Sequence, residues 1–193
     1  MKKILVINGH PRAESLCGSL AQAYAEEAKQ AGAEVTLLDL HRLQFDLSLH
    51  VGYKSEQALE GDLVHAQQLI RASDHLVFVF PSWWASLPAL LKGFLDRVFL
   101  PGFSFKYRKD SPFPERLLKG KTGRVIITMD APGWYYKWFN RAPGLHIVKK
   151  GTLEFCGVKP VKYNLLGMVR NAKSERIQGF FATARKAGMR DAR

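Results

Sequence analysis

Three short segments carry residue types that could do chemistry together. The first is Asn8-Gly9-His10-Pro11-Arg12-Ala13-Glu14-Ser15-Leu16-Cys17-Gly18-Ser19. It has neither the Gly-x-Gly-x-x-Gly spacing of dinucleotide folds nor the lysine of a P-loop. Ser15 instead reads as the N-cap of a helix, which leaves the amides of Leu16 and Cys17 free to hold a phosphate. His10 is placed to donate a second hydrogen bond to that phosphate. Cys17, in the first helical turn, is expected to have a lowered thiol pKa. The second segment is Phe80-Pro81-Ser82-Trp83-Trp84-Ala85-Ser86-Leu87-Pro88. A tryptophan pair directly after an apolar run suits a planar heteroaromatic ligand, with backbone N–H groups beside it. The third is Thr128-Met129-Asp130-Ala131-Pro132-Gly133-Trp134-Tyr135-Tyr136. Its tyrosine hydroxyls and loop amides could face the same ligand, and Asp130 reads as an acid/base group or a cap.

The elements between these segments say why they should converge. Lys3–Ile7, Glu34–Asp39, His75–Phe80, Arg124–Thr128 and Val161–Leu166 read as strands. Leu16–Ala31, Glu60–Ala72, Pro88–Phe99 and Ser174–Ala187 read as helices, and Lys149–Cys156 as the end of another. Pro101–Pro114 reads as a loop, and residues 41–58 show no clear pattern. Strands alternating with helices predict a parallel sheet covered on both faces. Five strands with right-handed crossovers predict the doubly wound, flavodoxin-like α/β fold, order 2-1-3-4-5. Ligands of such sheets bind beyond the carboxyl ends of the strands, where all three segments fall. With 193 residues the chain is expected to be one domain, 1–193.

Composition narrows the function classes. Apolar residues make up 47% and charged residues 24%, as in ordinary globular proteins. No apolar run is long enough to span a bilayer, and no signal peptide is visible. Two cysteines cannot build a disulfide framework, so a cytoplasmic setting is expected. The histidines show no paired ligand spacing, and no metal site is expected. There is no Gly-x-Ser-x-Gly elbow. The net charge is +12, and it is uneven. Residues 1–100 hold 9 Lys/Arg and 11 Asp/Glu, whereas residues 101–193 hold 20 and 6. This reads as a solvated basic face with a frayed tail, Arg185–Arg193, or as steering of an anionic small molecule. Nucleic-acid binding is disfavoured, because no recognition motif accompanies the charge.

The motifs Gly9-His10-Pro11-Arg12 with Ser15-Leu16-Cys17, Pro81-Ser82-Trp83-Trp84-Ala85, Lys92-Gly93-Phe94-Leu95-Asp96-Arg97 and Leu153-Glu154-Phe155-Cys156-Gly157 carry a family resemblance. The chain resembles the flavodoxin-like NAD(P)H:quinone oxidoreductases of DT-diaphorase type. Their bacterial relatives include modulator of drug activity B and the ancillary flavoproteins of Kef potassium efflux systems. The resemblance implies a homodimer with non-covalent FMN or FAD, and NAD(P)H as donor. It further implies two-electron, ping-pong transfer of hydride through the flavin to a quinone-like acceptor. His10, Ser15, Leu16 and Cys17 would then bind the flavin phosphate. Pro81, Ser82, Trp83 and Trp84 would line the ring, and Thr128, Met129, Asp130 and Ala131 its pyrimidine end. Tyr135 or Tyr136, with His146, would assist hydride transfer. Phe105 and Tyr107 would close over the ring as substrate contacts, from the same or the partner subunit. The family commonly has Thr-x-Gly-Gly where this chain has Thr128-Met129-Asp130-Ala131. Asp130 would place negative charge where reduced flavin becomes anionic, tending to lower its potential. Two other roles share the fold: a flavin-binding regulator of a membrane transporter, and a one-electron flavodoxin-type carrier. Such carriers are typically acidic, unlike this chain.

Overall fold

A computed structural model describes residues 1–193. The order is β1 (Lys3–Asn8), α1 (Leu16–Gln30), β2 (Glu34–Asp39), a 3₁₀ turn, α2 (Gly61–Ala72), β3 (His75–Pro81) and α3 (Ala89–Val98). Then come β4 (Phe105–Arg108), β5 (Ser111–Arg116), β6 (Thr122–Thr128), α4 (Gly133–Trp138) and α5 (Pro143–His146). The chain continues from α5 into π-helical turns over Ile147–Glu154, then β7 (Val161–Leu166) and α6 (Ser174–Ala192). The main sheet is parallel, in the order β2-β1-β3-β6-β7.

The central strands are apolar because both faces are covered. His75–Pro81 is buried at every position. One face packs Leu5, Ile7, Phe78, Phe80 and Ile127 against Leu63 and Ile70 of α2, Leu91 and Phe94 of α3, and Leu145 of α5. The other packs Ile4, Val6, Val77, Val79 and Ile126 against Leu20 and Tyr24 of α1 and Ala184 of α6.

Three expectations are corrected. Pro101–Pro114 is not a plain loop: β4 and β5 form an antiparallel hairpin outside the main sheet. It displaces the numbering, so the fourth and fifth strands of the sheet are β6 and β7. Pro112 and Pro114 hid it, yet a two-stranded ribbon has outward edges where no N–H is needed. The Arg185–Arg193 tail is not frayed. Helix α6 runs to Ala192 because Asp191 is buried and accepts hydrogen bonds from Tyr24 Oη (2.9 Å) and Arg124 Nη2 (2.9 Å). The patternless stretch 41–58 is held from outside itself. Buried Arg97 of α3 donates to the Asp46 and Ala58 carbonyls (2.6 and 3.0 Å) and to Glu60 Oε2 (2.9 Å).

Candidate functional site

The carboxyl ends of β1, β3 and β6 open on one cavity of about 370 Å³. It is lined by twelve of the residues named from sequence: His10, Ser15, Leu16, Cys17, Pro81, Ser82, Trp83, Thr128, Met129, Asp130, Ala131 and Tyr136.

The β1 turn is fixed by buried Asn8. Its Oδ1 accepts from His10 N (3.2 Å), and its Nδ2 donates to Asp39 Oδ1 (2.9 Å). Gly9 passes so close to α3 that a Cβ would lie 3.0 Å from Leu91 Cδ2, which only glycine tolerates comfortably. Ser15 caps α1, its Oγ accepting from Gly18 N (3.1 Å). The amides of Leu16 and Cys17 have no carbonyl four residues back in their helix and face the cavity end. His10 Nδ1 accepts from Arg12 N (3.0 Å), so the neutral ring carries its proton on Nε2. Burial beside Arg12 holds the imidazole below its usual pKa, which keeps that neutral, donating form. The ring also meets Trp83 edge-on at 5.7 Å.

Cys17 corrects an expectation. Burial pushes its thiol up to about 11, against the lowering expected at a helix N-terminus. Its Sγ lies 3.2 Å from Thr128 Oγ1. Desolvation disfavours the thiolate, and buried Cys17 packs α1 onto β6.

The tryptophan pair splits. Trp83 and Ser86 exchange backbone hydrogen bonds (3.2 and 2.8 Å) around Trp84 and Ala85. Both central residues have positive φ, 50° and 58°, as in a type I′ turn. That twist throws Trp84 fully into solvent while Trp83 lines the cavity, so Trp84 is no lining residue of this chain's cavity. The turn is tied from beyond. Tyr136 Oη donates to the Ala85 carbonyl (3.3 Å) and accepts from Leu145 N (3.2 Å), and Gly144 N donates to Ala85 O (3.1 Å). Burial raises the Tyr136 pKa, so the phenol stays protonated for the first bond.

Four other residues named from sequence stand apart. Tyr135 points outward from α4 and stacks on Phe139 at 5.3 Å. His146 is exposed at the end of α5. Helical spacing decides this, because Tyr135 and Tyr136 cannot share a face. Phe105 and Tyr107 lie with Phe155 in a separate cleft between the hairpin, α3 and the π-helical turns. The hairpin carries them away from the cavity of their own chain.

Arg12, Ala85 and Val169 also line the cavity, and sequence reasoning did not single them out. Arg12 stood in the motif beside the expected phosphate site, so its charge was a usable signal. Val169 follows β7, and only the fold brings it there.

A parallel five-stranded sheet in this order, with its cavity at the strand ends, meets a family model for the flavodoxin-like fold that matches residues 2–187. The chain belongs to this Flavodoxin_2 family. A mouse relative, ribosyldihydronicotinamide dehydrogenase [quinone], is 30% identical over 190 residues, covering 82% of this chain and 78% of that one. An uncharacterized NAD(P)H oxidoreductase of Haemophilus influenzae is 29% identical over 168 residues, covering 84% and 82%. Among solved structures, Smu.1420 of Streptococcus mutans superposes with TM-score 0.79 at 26% identity, covering 97% and 99%. The NAD(P)H:quinone oxidoreductase of Methanothermobacter marburgensis superposes with TM-score 0.83 at 24% identity, covering 100% and 98%; this likeness speaks to fold alone.

This Flavodoxin_2 cavity fits a flavin by its donor set. Its lining combines the helix-start residues Leu16 and Cys17 with His10 and Arg12, which suit a phosphate, and apolar Pro81, Trp83 and Met129, which suit a flat ring.

Proposed function

We propose that this chain is a flavin-dependent NAD(P)H oxidoreductase that reduces quinone-like acceptors. The observation that carries the reading is one cavity lined by both phosphate-suited residues (Leu16, Cys17, His10, Arg12) and an aromatic ring (Trp83), in a chain related to quinone dehydrogenases. Bound flavin, FMN or FAD, supplies the capacity to take two electrons from reduced nicotinamide and yield them to the acceptor.

The protein's own part is placement. Leu16 and Cys17 amides and Arg12 hold the phosphate, and neutral His10 donates from Nε2. Pro81, Ser82 and Trp83 would line the ring. Thr128, Met129, Asp130 and Ala131 border its pyrimidine end. Tyr136 is assigned the ring-facing aromatic role, rather than Tyr135 or His146, because of these three it alone lines the cavity. Its hydroxyl holds the Trp83–Ser86 turn against α5.

The cavity is open, and its missing wall suits a homodimer. Tyr107 is exposed on the hairpin and would close over the partner's ring beside Phe105. Trp84 would be covered there too. A second groove of about 440 Å³ adjoins the cavity at Asp130 and carries Lys173 and Arg176 beside Glu175, with Arg170 held by Asp130. The whole chain is read as one flavodoxin-like domain. No helix is long and apolar enough to cross a membrane, and both cysteines are free and buried, which suits a reducing cytoplasm. A transporter-bound regulatory role remains the second reading, on the resemblance alone.

The test is the visible spectrum of the purified protein given FMN and FAD, before and after anaerobic NADPH. Bound flavin that bleaches in one two-electron step, and recolours with a quinone, is the expected result. Flavin that binds but ignores NADPH would move the protein to the carrier or regulatory class. An absence of binding would overturn the flavin reading.

A further inference from the structure

The turn after β6 and the loop after β7 are laced together at the edge of the cavity. Met129 N donates to Leu166 O (3.0 Å), Val169 N to Met129 O (3.2 Å) and Met168 N to Ala131 O (3.3 Å). The two backbones touch so closely that a Cβ on Gly167 would lie 2.6 Å from Ala131 O. Across the outer edge Asp130 Oδ1 accepts from the Arg170 amide (3.0 Å), and its Oδ2 lies 3.5 Å from Arg170 Nε. Met129 and Val169 face the cavity from the same two loops. Asp130 is therefore a wall of the cavity and also the clasp of its frame. Its charge does not stand alone, because a guanidinium sits beside it.

We propose that Asp130 and Arg170 are a compensated pair of positioning residues that holds the ring-facing turn and sets the potential of the flavin. Resting on the flavin reading above, it names how that site is tuned. The carboxylate alone would disfavour a reduced, anionic ring, and the guanidinium alone would favour it. Together their far fields nearly cancel. Both side chains are largely exposed, 58% for Asp130 and 80% for Arg170, so the effect of unmasking either is modest and is screened by salt. The charge-assisted bond to the Arg170 amide gives Asp130 a separate mechanical role.

The test compares Asp130→Asn and Arg170→Gln with the parent protein, each loaded with flavin and titrated by equilibration with a redox dye at low and high salt. Exposure of both positions means neither change threatens folding, which circular dichroism would confirm. Asp130→Asn unmasks the guanidinium of Arg170, so the flavin potential should rise. Arg170→Gln unmasks the carboxylate of Asp130, so it should fall. The expected size is a few-fold to tenfold change in the ratio of affinities for reduced and oxidised flavin. Tenfold corresponds to about 30 mV for a two-electron couple. The double variant should return towards the parent value, and high salt should shrink both single shifts. Equal-sign shifts, or potentials that do not move, would overturn the pair as an electrostatic device. A parent protein that fails to bind flavin would instead overturn the underlying reading, so the two failures are told apart.

Discussion

Tyr136 and Cys17 show how far environment changes what a side chain can do. Tyr136 is buried, and its hydroxyl serves two backbone groups at once. Tyr136→Phe leaves the Leu145 amide unpaired, which should cost about 1–3 kcal/mol in chemical denaturation. It should also loosen the Trp83–Ser86 turn and weaken flavin binding; unchanged stability would refute the bond's role. Cys17 stands at a helix start, where the sequence predicts a lowered thiol pKa on a small packing or backbone-donor residue. With its pKa near 11, on the order of a thousandth is thiolate at pH 8. Alkylation of the folded protein at Cys17 should therefore be very slow, and fast after unfolding. Rapid labelling of the native protein, read by mass spectrometry, would contradict this. Arg12→Ala should reduce flavin affinity, and more so for FMN than for riboflavin, which lacks the phosphate. An equal loss for both would show that Arg12 does not hold a phosphate.

At the scale of elements, α6 is the part whose role was least visible beforehand. Gly188 lets it lie on α1 so closely that a Cβ would be 2.4 Å from Tyr24 O. Alanine is the better helix former, yet Gly188→Ala should destabilise by about 1–3 kcal/mol, because backbone cannot yield as a flexible side chain can. A stabilised variant in thermal melts would show that the helices separate freely. Beyond it, Asp191 meets Arg124 and Tyr24, and its Oδ2 lies 3.3 Å from His75 Nε2. His75 Nδ1 bonds Thr122 Oγ1 at 2.6 Å. Burial disfavours the Asp191 carboxylate, but the hydrogen bonds from Arg124, with the His75 ring close by, outweigh it and hold its pKa well below the usual range. Burial pushes the His75 pKa down. The signs agree. The Asp191 pair stabilises at neutral pH, and that stability is lost as pH falls below about 4 towards the lowered folded value. Unfolded His75 takes up a proton near 6.5 that the folded ring resists, so stability also falls as pH drops through that value. Denaturant midpoints should thus decline in two stages on acidification. His75→Gln should shrink the upper stage, leaving the part that His10 contributes. Asp191→Asn should cost roughly 3–5 kcal/mol at pH 7, because Arg124 is left buried without its partner. A midpoint independent of pH between 7 and 5 would rule out the His75 account.

Across the whole molecule, the charge asymmetry now has a place. Two second-half cations, Lys173 and Arg176, line the groove that adjoins the cavity at Asp130. They predict a preference for NADPH over NADH that shrinks as salt is raised, since screening acts on the extra phosphate. A KM ratio that salt leaves unchanged would argue against it. The alternation of apolar strands and amphipathic helices was legible in the sequence because it follows from local periodicity and from strands buried on both faces. The strand-end segments that form the cavity were legible for the same reason, since a doubly wound sheet brings its strand ends to one side. The β4–β5 hairpin was not, because prolines mask a ribbon whose edges need no donors. Nor were residues 41–58, which Arg97 holds from 39 to 51 positions away along the chain. Sequence by itself determined the layers, the family and which loops line the cavity. Only the tertiary structure decided that Trp83 turns in while Trp84 turns out, and that Tyr136 faces the cavity instead of Tyr135. It alone also decided that the Cys17 thiol is buried and that Asp130 has a cation beside it. Those outcomes depend on which groups desolvate or neutralise one another, and such groups lie far apart along the chain.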